Sequence, residues 1–354
     1  MIVNEDYFRA IWHDQHYEYV EIIDQTLLPF QFEIVRIEYV TQMVNAIKTM
    51  QVRGAPLIGA AAAYGIALAM RQNSSDENLL ITRDALIQSR PTAVNLAWAV
   101  ERVVKRIRQA PMTERIEVAW LEAKQIADED VAQNQAIGQH GLTLIKQLHQ
   151  HQPVNILTHC NAGWLATVDY GTALAPVYAA HDAGIAVHVW VDETRPRNQG
   201  ASLTAWELAQ HGVPHTVISD NAGGHYMQHG LVDMVIVGAD RVTSSGDVCN
   251  KIGTYLKALA AYDNQVPFYV AVPSPTLDLT IQDGLTEIEI EARSGDEVAY
   301  IQGQTHNGTL ETVRLIPDNS RAANPAFDIT PARLVTGIIT EKGIYLPNQL
   351  AQLA

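Results

Sequence analysis

A chain of 354 residues, 47% of them apolar, is long enough for about two domains of ordinary size and supplies ample material for large cores. Its net charge of −15 argues against nucleic acid and acidic membranes as partners, because backbone binding needs a concentrated positive field. A local basic pocket for a small phosphate stays compatible with that balance, and two cysteines without a signal-peptide pattern point to free thiols in the cytoplasm.

After a short β-like opening (Glu18 to Ile23, Phe30 to Ile37), helix-like spacing covers Val40–Met50, Leu57–Met70, Ala93–Ile107 and Met112–Val131. The uncharged stretch Gly54–Met70 is slightly short for a membrane span and carries Pro56 near its start, so it reads as a buried helix. Val131–His149 reads as a helix joining two parts. From about residue 150, short β-branched runs appear at Val154–Leu157, Ile185–Val191, Thr216–Ile218, Met234–Val237 and Phe268–Val272. Helical segments lie between them at Thr172–Ala183, Leu203–Gln210 and Gly253–Tyr262. That alternation is the pattern of a doubly wound parallel sheet. The expected fold class is α/β: a mainly helical N-terminal domain (1–130) with a small β element, then a Rossmann-like domain (131–354). Residues 283–325 break the alternation as an antiparallel excursion, and Pro331 is expected to open a last helix through Thr340.

Two polar residues stand directly after buried runs: Cys160 after Val154–Leu157, and Asp240 after Met234–Val237. Ligands of open α/β sheets bind beyond the carboxyl ends of the strands, so a thiol and a carboxyl delivered there suit base and acid roles on one small substrate. The plain alternative is a small buried cysteine and a turn aspartate.

Other segments add to that pair. Arg53-Gly54-Ala55-Pro56 precedes the alanine-rich helix, where small residues let backbone N–H groups approach an anion; close helix packing is the competing explanation. Gly54 and Gly59 have the spacing of Walker A glycines, but Ala60 stands where that motif needs lysine. Arg90, in Ser89-Arg90-Pro91-Thr92, marks a second helix start. The polar run Asp192 to Gly200 follows a strand, with Gln199 a candidate for hydrogen bonds to substrate hydroxyls. Asp220 to His225 resembles an anion nest or an exposed turn, and nothing near His225 has zinc-like spacing. Asp247 to Thr254 is expected to open a helix with Lys251 near its N-terminus, where Cys249 is a local rival to Cys160. With no G-x-G-x-x-G after a strand, no dinucleotide is implied.

Taken in order, Arg53-Gly54-Ala55-Pro56, Ser89-Arg90-Pro91-Thr92-Ala93-Val94-Asn95, Thr158-His159-Cys160-Asn161, Glu193-Thr194-Arg195-Pro196-Arg197, Gln199-Gly200, Gly238-Ala239-Asp240-Arg241 and Asn250-Lys251-Ile252-Gly253-Thr254 closely resemble the methylthioribose-1-phosphate isomerase family. The endings Asn324 to Pro331 and Ile338 to Gly343 match too, so the resemblance spans nearly the whole chain. Trp164 and the polar stretch Gln302–Thr309 depart from the family's pattern. The family shares its fold with the regulatory subunits of translation initiation factor 2B and with ribose-1,5-bisphosphate isomerase. The resemblance implies an aldose–ketose isomerase of methionine salvage acting on a sugar phosphate, with no metal or organic cofactor, as a homodimer. It implies Asp240 as proton donor and Cys160 as base or stabiliser of the intermediate. Arg53, the Gly54 and Ala55 amides, Arg90 and Lys251 would hold phosphate, while Gln199 and Asn250 orient the sugar. A non-enzymatic protein that binds a sugar phosphate or nucleotide is the alternative from another class.

Overall fold

The computed structural model describes residues 1–149 and 153–353. The chain opens with a hairpin of β1 (Ile2–Val3) and β2 (Asp6–Tyr7), then an antiparallel sheet of β3 (Ile11–His13), β4 (Val20–Ile23) and β5 (Ile34–Ile37). Five helices follow: α1 (Val40–Lys48), α2 (Ala55–Gln72), α3 (Asp76–Ile87), α4 (Val94–Arg108) and α5 (Arg115–Leu148). Helix α2 packs against the other four and is buried on nearly every side from Ala55 to Met70. Apolar all round, it is a core helix, and no helix among the described residues is long and apolar enough to cross a membrane. The two helical stretches expected on either side of Val131 are one continuous 34-residue helix, α5.

The second part carries β6 (Val154–Thr158), α6 (Ala175–Asp182), β7 (Val187–Asp192), α7 (Ala205–His211), β8 (His215–Ile218), α8 (Ala222–Gln228), β9 (Met234–Val237), β10 (Arg241–Thr243), β11 (Val248–Lys251), α9 (Thr254–Asp263), β12 (Phe268–Ala271) and β13 (Leu277–Asp278). It ends with α10 (Gly284–Glu287), α11 (Asp296–Ala299), β14 (Tyr300–Gln304), β15 (Leu310–Arg314), β16 (Phe327–Thr330), β17 (Gly337–Thr340) and β18 (Gly343–Tyr345). A seven-stranded sheet has the order β18-β17-β12-β9-β6-β7-β8, parallel throughout except for β18. Strand β9 is buried along its whole length, as a parallel strand covered on both faces must be. From β6 the chain winds outward through β7 and β8, then returns to β9 on the other side of β6. The order therefore reverses between β6 and β9, which makes that crevice the topological switch point. A smaller sheet, β13-β10-β11-β16, packs beyond it.

Four local expectations are corrected. No helix runs from Pro331 to Thr340: a short 3-10 turn (Ala332–Leu334) leads into β17. Its buried Ile338 and Ile339 pair with Val270 and Ala271 of β12, so an open sheet edge decided what a short apolar run leaves ambiguous. Asp247–Thr254 does not open a helix at Lys251; Val248–Lys251 is β11, paired with β10 and β16, and α9 starts at Thr254. The stretch Asp220–His225 begins as a turn at Asp220–Asn221, exposed at Asn221, but from Ala222 onward it is α8. Arg90 and Pro91 lie in a turn, and α4 starts at Val94. The excursion at 283–325 is antiparallel as expected, built on the β14–β15 hairpin.

Candidate active site

Cys160 and Asp240 leave the ends of β6 and β9, the two strands that flank the switch point. Both line one small cavity of about 60 Å³, which Arg53, Gly54, Ala55, Arg90, Gln199, Asn250 and Lys251 line as well. The fold thus gathers all nine candidate residues, drawn from positions 53 to 251, around a single space.

Cys160 takes a left-handed backbone conformation, φ 65°, uncommon for a residue with a side chain. Hydroxyls hold it there: its N–H donates to Thr194 Oγ1 at 2.8 Å, and its carbonyl accepts from Thr204 Oγ1 at 2.7 Å. The thiol donates to Gln199 Oε1 at 3.5 Å. Turning the Gln199 amide over would present an N–H to a thiolate, so one residue can serve both forms of the sulfur. Cys249, the rival thiol, is buried in β11, and burial pushes its pKa up to about 12. Its carbonyl instead accepts the Asp240 N–H at 2.9 Å, fixing the carboxyl's backbone to the smaller sheet.

Burial raises the pKa of Asp240, while the charges of Lys251, Arg90 and Arg53 pull it down. Arg53 is itself buried, which disfavours its charge; Cys160, Glu207 and Asp240 act in the opposite sense. Burial likewise lowers the pKa of Lys251 against the pull of Cys160 and Asp240, and its ammonium sits 4.7 Å from the centre of the Phe327 ring. Arg90 donates to Glu291 at 3.0 Å and leaves its buried Nε without a partner among the described residues. Arg241 donates to the Thr92 carbonyl at 2.8 Å, tying the Arg90 turn to β10. Gly54, at φ 99°, lies so close to the Cys160–Ala166 loop that a Cβ there would stand 2.4 Å from the Ala166 carbonyl oxygen. That approach sets the N-terminus of α2, with its partial positive charge, against the cavity.

Residues not foreseen complete the frame. Asn161 accepts Arg53 through its side chain and its carbonyl, and donates to Glu207 at 2.8 Å. Burial raises the pKa of Glu207 to about 7 against hydrogen bonds from the Leu165 N–H and Asn161. In the sequence the only signal for it is one carboxylate among the small and apolar residues of Leu203–Gln210, beside Leu208 and close to Leu203 on the buried side. Behind Cys160, His159 Nδ1 lies 2.8 Å from Asp192 Oδ2. His159, Asp192 and Asp220 form the one group among the described residues whose ligand atoms cluster as a metal site would. Lys257 Nζ stands 3.2 Å from Asp192 Oδ2 and donates to the Asp220 carbonyl, so an ammonium already fills the cation's place.

A switch-point cavity with a thiol, a buried carboxyl and three cationic side chains defines an α/β protein that gathers acid–base groups and positive charge in one crevice. Residues 51–347 match the model of the initiation factor 2 subunit family, and the chain belongs to that family. Among curated relatives, the methylthioribose-1-phosphate isomerase of Rhodospirillum rubrum is 61% identical over 344 residues, covering 95% of this chain and 88% of its own length. That of Methylocella silvestris is 61% identical over 351 residues, covering 98% and 96%. The solved 5-methylthioribose 1-phosphate isomerase of Pyrococcus horikoshii OT3 superposes with a TM-score of 0.83 at 39% identity, covering 98% of this chain and 96% of that one. A structure described as translation initiation factor eIF-2B, subunit delta, from A. fulgidus gives 0.80 at 40% identity, with 97% of each chain covered. Within its family the chain is an isomerase of the methylthioribose-1-phosphate isomerase group.

Proposed function

We propose that the chain converts 5-methylthioribose 1-phosphate into 5-methylthioribulose 1-phosphate, with Asp240 as proton donor and Cys160 as base. The observation that carries this reading is the meeting of Cys160 and Asp240, from the two strands at the switch point, in one cavity with Arg53, Arg90 and Lys251.

With phosphate on the anomeric oxygen, the ring cannot open by losing the anomeric hydroxyl proton, so an acid must serve the ring oxygen. Asp240 gives its proton there as the bond from C1 to the ring oxygen breaks. Burial favours the protonated acid, and a phosphate held by Arg53, Arg90 and Lys251 would offset the three charges that oppose it. The acid is thus readied by the substrate it serves. The Cys160 thiolate then takes the C2 proton, and the electron pair released forms the C1–C2 double bond of an enol phosphate. The thiol returns a proton to C1 while the 2-hydroxyl proton passes to the Asp240 carboxylate, leaving a ketone at C2. Both residues end as they began.

A chamber of about 230 Å³ shares Met50, Arg53 and Gln199 with the cavity and adds Leu28, Phe30 and Leu203 as apolar wall. Glu297 also lines it; although burial opposes its charge, Arg293 and Arg197 hold its pKa down at about 2. Arg197, which lines the same chamber, pairs with that carboxylate at 3.0 Å, so it is the apolar wall of Leu28, Phe30 and Leu203 that suits an apolar 5-substituent. Two free thiols fit a cytoplasmic setting, and the proposed assembly is a homodimer, which light scattering would test.

Turnover of methylthioribose 1-phosphate and ribose 1,5-bisphosphate by the purified protein tests the reading. The first should be converted far faster. Preference for the bisphosphate would reassign the substrate, and no turnover of either would favour a non-enzymatic sugar-phosphate binder.

A further inference from the structure

Asn161 directly follows Cys160, and its side-chain amide is buried where three segments of the chain meet. Arg53 can only donate, so the atom that faces its guanidinium at 2.5 and 2.9 Å is Oδ1. The amide nitrogen therefore points the other way, to Glu207 Oε1 at 2.8 Å and Thr204 Oγ1 at 3.1 Å. Two accepted and two donated bonds use the amide's full capacity, and turning it over would break all four. Thr204 accepts from Asn161 and gives its own proton to the Cys160 carbonyl.

Glu207, on α7, holds the same loop further along. Its other oxygen accepts the Leu165 N–H at 3.2 Å. Gly163, between these two anchors in the chain, lies so close that a Cβ there would stand 1.5 Å from Glu207 Oε1. The loop then meets Gly54 at Ala166. One carboxylate thus registers a segment that begins beside the proposed base and ends against the N-terminus of α2. Burying a carboxylate is costly, and an apolar side chain would fill the space without that cost. An apolar side chain could not orient the Asn161 amide.

We propose that Asn161, oriented by Glu207, is a positioning residue that holds the Arg53 guanidinium in register with the Cys160 turn. Its effect on turnover rests on the reading of Arg53 as phosphate holder and Cys160 as base. The polarity of the pair, an amide donating to a carboxyl oxygen, follows from the bonds alone.

The test exchanges the two groups. Asn161→Asp, Glu207→Gln and the double variant are compared with the parent by circular dichroism, steady-state turnover and titration with inorganic phosphate. The pH is kept at about 8.5, above the Glu207 pKa of about 7. In Asn161→Asp a second carboxylate meets Glu207 with no N–H between them. Turnover should fall at least about tenfold, and phosphate should bind less tightly because the new carboxylate ties up Arg53. Glu207→Gln offers one acceptor oxygen to two N–H donors, so kcat should fall about threefold or more with phosphate affinity nearly kept. The double variant again sets an amide against a carboxylate and should exceed Asn161→Asp in turnover at least about fivefold. It should stay below the parent, because Thr204 has lost its donor. Losses that simply multiply in the double variant would refute the pairing, as would a folded Glu207→Gln with parental kcat. If the aspartate variants do not fold, the nearly isosteric Glu207→Gln decides alone. A parent that turns over neither sugar phosphate, with phosphate affinity lost in Asn161→Asp and recovered in the double variant, would sink the isomerase reading and leave the pairing standing.

Discussion

Arg53 reaches across 108 positions of sequence to bond Asn161, the residue after Cys160, at 2.5 Å through Oδ1 and 2.7 Å through the carbonyl. The guanidinium proposed to hold phosphate also braces the turn that presents the thiol. Arg53→Ala should therefore do more than weaken binding. Both Arg53→Ala and Lys251→Ala should weaken inorganic phosphate and substrate together, through loss of charge-assisted bonds, and Arg53→Ala should lower kcat further. Titrations in which both variants match the parent would contradict the clamp. At Arg90, glutamate should be worse than alanine, since it adds a negative charge where phosphate is expected.

Cys160→Ser should lower turnover at least about a hundredfold, the scale of losing a positioned acid–base group, while substrate binding persists. Cys249→Ser should be much milder, because a buried thiol with a pKa of about 12 holds almost no thiolate near neutrality. Steady-state kinetics on the pair settles which sulfur acts.

Asp240→Asn keeps the shape and the backbone bond to Cys249 but has no proton to give the ring oxygen. It should be severely impaired, with binding largely retained. Substantial activity in the amide would reduce Asp240 to an orienting group. Since Asp240 and Cys160 share a cavity, any limbs of the pH–rate profile belong to the pair.

Glu207 makes a pH prediction of definite sign. Its folded-state pKa of about 7 lies above the ordinary 4.5, so the folded form binds the proton more tightly than the unfolded form. The stability this contributes is fully present below the ordinary value and is lost as pH rises through about 7. Urea unfolding of Glu207→Gln beside the parent should show the difference shifting in favour of the variant by up to roughly 3 kcal/mol from pH 4.5 to 8. A difference that stays flat with pH would mean that folding leaves the Glu207 carboxyl unshifted.

The proton route predicts some deuterium at C1 of the product after turnover in deuterated water. Full retention of the C2 hydrogen does not by itself exclude that route, because a water-excluded site can return the same proton. Substantial turnover in Cys160→Ala with quantitative transfer of label from C2 to C1 would eliminate the thiolate base in favour of a hydride shift.

What was legible in the sequence was whatever a single segment carries. The runs ending at Leu157 and Val237 announced β6 and β9, and the polar residues after them announced the cavity. What was hidden depended on partners far away in the chain. Ile338 and Ile339 became strand because β12 offered an unpaired edge, which no local pattern reveals. Val248–Lys251 became strand for the same reason, pairing with Phe327–Thr330 about eighty positions on. Glu207 and Asn161 entered the frame only once folding had set them against Arg53.

Helix α5 also bears on how the molecule comes apart. Its 34 residues make a rod of about 50 Å, laid along α2 and α4 near one end and against α6 and β17 toward the other. A rod shared in this way leaves the helical half and the sheet half no seam at which to melt separately. Chemical denaturation should give a single sigmoid by fluorescence and by circular dichroism, with coincident midpoints. A kink forced into the middle of α5 by proline should unfasten both halves together.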